Sequence, residues 1–144
     1  MRSHFETARP YLVAVTVFVV GRFILELVGA PEALVSELSV TRLLFVLPVF
    51  LGLRLAREGR RELGSLVAVN LLYVGWAILL VMIVTALDTL AGLGTHYGHG
   101  ALGGHLLGHL VEFVVLGVVA VSIAWITRQL GARLSTEDES PIED

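Results

Sequence analysis

Residues 66–90 read LVAVNLLYVGWAILLVMIVTALDTL. The only charge in this run is Asp88, near its end, and the only amide is Asn70. A bilayer's hydrocarbon layer is ~30 Å thick and a helix rises ~1.5 Å per residue, so about 20 apolar residues span it. A segment this long with a single charge is a transmembrane helix, and its reading decides the fold class.

Three further segments follow the same logic: Pro10 to Ala30, Val40 to Ala56 and Ala101 to Leu130. Pro10 opens the first, because proline is tolerated in a helix's first turn, and Gly29-Ala30-Pro31 stops it. Val28-Gly29-Ala30 imitates a signal-peptide cleavage site. Pro31 would follow that cut, however, and Arg22 and Glu26 interrupt the apolar region, so the segment reads as a retained helix. The second span is the shortest and contains Pro48, which predicts a kink whose freed carbonyl finds a partner on a neighbouring helix.

Composition agrees. Of the 144 residues, 56% are hydrophobic and 16% charged, where a soluble domain carries about 25% charged residues. No polar stretch is long enough for a second domain. The expected fold is therefore all-α, a polytopic membrane protein with a four-transmembrane-helix bundle over residues 1–134. The remainder, residues 135–144, is acidic, lacks apolar periodicity and is expected to be a disordered tail. A net charge of −3 gives no reason to expect a nucleic-acid partner. The lack of cysteine excludes disulfides, thiolate catalysis, cysteine zinc ligands and iron–sulfur clusters.

Arginines set the expected orientation. Arg54, Arg57, Arg60 and Arg61 crowd the second loop, Arg2 and Arg9 precede the first span, and Arg128 and Arg133 flank the end of the last. The loop from Ala91 to Gly100 has neither Lys nor Arg. The positive-inside rule then puts both termini in the cytoplasm and the histidine-rich loop outside, in a cell (inner) membrane.

Depth counted along each helix gathers the ionisable residues toward that outer end. His105, His109 and Glu112 fall at i, i+4 and i+7 on one stripe of the fourth helix. Arg22 and Glu26 are one turn apart on the first, Asp88 nears the end of the third, and His96 and His99 lie in the capping loop. Charges within a membrane are costly and call for partners. Imidazoles and carboxylates without thiolates suit a divalent transition metal, with zinc or iron favoured. The expected ligands are His105, His109 and Glu112, completed by Asp88 or Glu26, with His96 and His99 as lesser candidates. Arg22 would hold Glu26 ionised or bind an anionic group. A three-ligand site with an open position would activate water, although neither His-Glu-x-x-His nor the di-iron Glu-x-x-His pair is present. Haem is not favoured, because His105 and His109 on one helix cannot approach an iron from opposite sides.

Two other roles fit the same residues. Imidazoles beside carboxylates can sense external pH or couple to protons. Alternatively, a small bundle can be an accessory subunit of a larger membrane complex. Gly100, Gly104 and Gly108 form a small-xxx-small series beside the histidine stripe. Such a face lets another backbone approach closely, within the bundle or from a partner or second copy.

Overall fold

A computed structural model describes residues 4–60, 62–98 and 102–137, with α5 side chains from 107 to 134. Its elements are α1 (His4–Leu27), α2 (Glu32–Glu37), α3 (Val40–Arg57), α4 (Leu63–Ala91), a 3₁₀ turn (His96–Gly98) and α5 (Leu102–Glu137). Four helical stretches among the described residues are long and apolar enough to cross a membrane: His4–Leu27, Glu32–Arg57, Leu63–Ala91 and Leu107–Leu134. This is a small all-α, four-helix membrane protein.

α1 packs on α4, α4 on α5 and α5 on α3, while α3 meets α1 and α4 more sparsely. The core positions follow helical spacing. Ala8, Tyr11, Val15 and Val19 line α1; Leu44, Leu47, Leu51 and Leu55 line α3; Leu66, Val69, Tyr73 and Ala77 line α4. Steps of three and four keep one stripe of each helix facing its neighbours. The opposite faces remain apolar, with Val13, Val17, Ile24, Val114 and Val118 each more than half exposed. In water such faces would be a liability; in a bilayer they are the lipid contact.

Among the described glycines, the tightest approach of two helices is between α3 and α5. A Cβ added to Gly52 would overlap Thr127 Oγ1 and the Ala124 carbonyl, and would lie 3.0 Å from Arg128 N. Ala120 and Ala124, both buried, continue this seam on α5. Lipid offers no hydrophobic drive for helix association, so small residues and close van der Waals contact hold the pair together. Several polar groups along the bundle are answered internally. Tyr73 donates to Asn70 Oδ1 at 2.5 Å, Asn70 donates to the Leu66 carbonyl at 2.8 Å, and Trp76 Nε1 donates to Thr16 Oγ1 at 2.8 Å.

The helix limits differ from the sequence reading in instructive places. α1 begins at His4, so Pro10 lies inside the helix rather than opening it. The reason is tertiary: Arg54 Nη1 donates to the Thr7 carbonyl at 3.4 Å and Arg60 Nη1 to Thr7 Oγ1 at 3.2 Å, tying the extra turn to the bundle. α3 runs as one continuous helix through a buried Pro48. The short α2 was not anticipated. Glu32 in its first turn complements the positive helix end, and its Leu34 and Val35 amides bond the Pro31 carbonyl. α5 continues to Glu137, three residues into the expected tail, of which residues 138–144 lie outside the described residues.

Candidate functional site

At the end of the bundle carrying the 3₁₀ turn, Glu26 is the focus. Arg22 Nε donates to Glu26 Oε1 at 3.0 Å along α1. From the other side the loop closes on the same carboxylate. The His96 backbone N–H donates to Glu26 Oε2 at 3.1 Å, and His96 Nδ1 lies 2.7 Å from Oε2 and 2.6 Å from Oε1. The Glu26 side chain is only 12% exposed. Its carboxylate therefore clasps the α4–α5 connection to α1 through the His96 amide and imidazole, while Arg22 holds it from within α1.

Asp88, a candidate ligand by its position in the sequence, bonds to the loop. It is buried, and its oxygens accept from Thr95 N at 3.2 Å and Thr95 Oγ1 at 2.6 Å. Gly92 caps α4 at φ 62°, a left-handed conformation that glycine adopts without strain, and sends the chain back over the helix end. Asp88 pins that return. The acid visible in the sequence as a candidate ligand is thus engaged in shaping the loop that presents His96.

On α5, His109 Nδ1 lies 2.8 Å from Glu112 Oε2. The two imidazoles share a cavity of about 250 Å³, lined among others by Arg22, Ser39, Thr41, His96, Tyr97, His109 and Glu112. Four helices and the loop contribute to it. Tyr97 is 5% exposed, and its hydroxyl has no hydrogen-bond partner among the described residues. Burial pushes its phenol up to about 12, with Glu26 adding to the rise and Arg22 opposing it. Tyr97 hence keeps its proton at any physiological pH and remains a hydrogen-bond donor.

The structure brings Glu26 of α1 to His96 of the loop, and His109 to Glu112 within α5. Among the described residues, no three His, Asp or Glu side chains gather as a metal shell. His99 and Gly100 lie outside the described residues, as do the side chain of His105 and the surroundings of Gly104. The expected close packing of the glycine series inside the bundle does not hold for Gly108. A Cβ there meets nothing within 4 Å, because this face of α5 turns away from the other helices. Gly108→Ala is accordingly expected to leave the detergent unfolding midpoint unchanged or raise it slightly, since alanine favours helix by up to ~1 kcal/mol. A clear loss of stability or of self-association would instead show that the face is covered.

Sequence reasoning missed the opposite end. Counting loop arginines for topology hid what they bind. Arg60 joins Thr7 and, at 2.7 Å, Ser65, both of them buried, while Arg54 pairs with Glu58 at 2.9 Å. Arg128, taken as a flank of the last span, is buried.

No protein-family model matches the chain, and the comparisons with curated proteins and with solved structures found no match.

Proposed function

We propose that this is an outward-facing, pH-responsive membrane protein whose sensing element is the imidazole–carboxylate clasp of His96 on Glu26. The single observation that carries the reading is the bonding of loop to helix through both the His96 backbone and its ring. The arginine distribution supports an outward orientation for this end. Imidazole is the side chain whose change of charge falls within the range that exteriors and acidified compartments visit.

The charged surroundings give protonation a consequence. His96 faces Glu26 and Arg22 on α1, and across the cavity His109 and Glu112 on α5. The α3 lining supplies hydroxyls, the α4 lining is apolar, and Asp88 is turned to Thr95. With neutral imidazoles, Arg22 against Glu26 and Glu112 leaves the site one net negative charge. Protonating both rings makes it one net positive charge. The clasp tightens as the imidazole gains a full charge opposite the carboxylate, and the cavity's preference changes from cations to anions.

Amide exchange at Thr95 to Tyr97, corrected for intrinsic chemistry, tests this in lipid nanodiscs. Protection is expected to rise about two- to fivefold between pH 8 and pH 5, since a partly exposed ion pair contributes about 0.5–1 kcal/mol. Glu26→Gln should abolish the response. A flat wild-type profile, or an unchanged one in Glu26→Gln, would overturn the reading.

The expected transition-metal site remains a second reading, favoured by one feature. His96 and His109 each place Nδ1 on a carboxylate, the pattern by which outer carboxylates orient metal-bound histidines through the opposite nitrogen. This alters the expected set of His105, His109 and Glu112: His96 joins His105 and His109 as a ligand, while Glu112 and Glu26 support the imidazoles. Zinc or iron retained through purification, and lost in His109→Ala, would select it over pH sensing. A stoichiometric partner protein without either property would select the accessory role.

A further inference from the structure

We propose that the seam between α1 and α3 at the Arg-rich end is a binding site for an anionic phospholipid. The two helices meet sparsely there and leave a groove of about 640 Å³. Its walls are Pro10 and Tyr11 on α1, with Leu47, Phe50, Leu53, Arg54, Arg57 and Glu58 from α3 and its C-cap.

The chemistry is graded along the helix. Leu47, Phe50, Arg54 and Arg57 follow i, i+3, i+7 and i+10, a single stripe that is apolar for its first half and cationic for its last. The stripe is ~15 Å long, the depth of about one leaflet's hydrocarbon. Phe50 is 60% exposed at the groove, a surface for an acyl chain. Arg54 is committed to Glu58 at 2.9 Å, whereas exposed Arg57 has no ion-pair partner among the described residues. The groove itself is lined by Arg54 and Arg57 against Glu58 alone, a positive balance, and Arg60 also lies 3.7 Å from Glu58. A phosphodiester at Arg57, with its acyl chain running along Phe50 and Leu47, satisfies both halves of the stripe. Free phosphate would use only the charged half, and a zwitterionic lipid would bring its own cation to the arginines.

Native mass spectrometry of the full-length protein in detergent tests the assignment. The probes are phosphatidylglycerol, phosphatidylcholine of the same acyl chains, and inorganic phosphate. Phosphatidylglycerol should bind about fivefold more tightly than phosphatidylcholine, the ratio that about 1 kcal/mol per interfacial arginine gives. Phosphate alone should not bind at matched concentration. Arg57→Ala and Arg57→Gln should each remove the preference, while Arg42→Ala, an exposed arginine at the opposite end, should keep it. Equal binding of the two lipids, retention of the preference in both Arg57 variants, or equivalent binding of phosphate would overturn the proposal.

Discussion

Gly52→Val should be the most damaging single substitution in this protein, lowering stability by more than about 3 kcal/mol or preventing the bundle from assembling. Overpacking a core by a methylene or two costs about 1–3 kcal/mol when side chains can move aside. At Gly52 the added carbon meets the Ala124 carbonyl and approaches Arg128 N, both backbone atoms of α5. A helix backbone cannot yield locally, so α3 and α5 must separate along their whole seam. Unfolding in mixed detergent, followed by circular dichroism, measures the effect. Gly117→Ala is the internal control. Its Cβ would lie 3.3 Å from Leu71 Cδ2, the end of a side chain that can shift, and it should cost less than about 1 kcal/mol. Comparable midpoints for Gly52→Val and Gly117→Ala would show that the α3–α5 seam is not the close contact described.

Asp88→Ala should be next, costing about 3 kcal/mol and loosening the whole connection between α4 and α5. The substitution removes two hydrogen bonds to a buried carboxylate and strands the Thr95 N–H and hydroxyl, which are themselves buried. Bonds to charged groups contribute about 1.5–3 kcal/mol each, offset in part because the variant no longer buries a charge. Asp88→Asn keeps one acceptor and should fall midway. The distinguishing readout is amide exchange. Protection should drop at Thr95 and then at His96, because the clasp on Glu26 depends on how Asp88 holds the loop. Unchanged protection at both amides in Asp88→Ala would remove Asp88 from that structural role and return it to the candidate ligands.

Much of the architecture was legible because a membrane imposes a one-dimensional rule. Length and apolarity alone select a spanning helix, and the runs around residues 66–90 and 107–134 satisfy it without reference to any neighbour. The Arg22–Glu26 pair was legible for a similar reason, since one helical turn brings the two side chains together. The start of α1 was not. Proline argues against a helix interior, and only Arg54 and Arg60, some fifty residues away, justify the turn before Pro10.

The candidate site divides along the same line. His109 with Glu112 is a local pair on one helix and could be read from spacing. His96 with Glu26 joins residues seventy apart, and nothing local distinguishes His96 from a solvated loop histidine. Asp88 is a further case. Its depth marks it as a candidate ligand, and nothing local foretells that a tight turn at Gly92 brings Thr95 back within reach of its carboxylate. The small residues divide likewise. Gly108 stood out in a regular series and meets nothing, whereas Gly52, isolated in the sequence, sits at the tightest helix crossing among the described glycines.

Residue order alone determined that the chain makes four apolar helices with its ionisable groups near their ends, because each is a property of a single segment in a low-dielectric solvent. Tertiary structure alone decided which carboxylate meets which imidazole, which glycine two backbones share, and which arginine is left facing a groove. Those outcomes depend on the rotation and offset of one helix against another, quantities that no individual segment encodes.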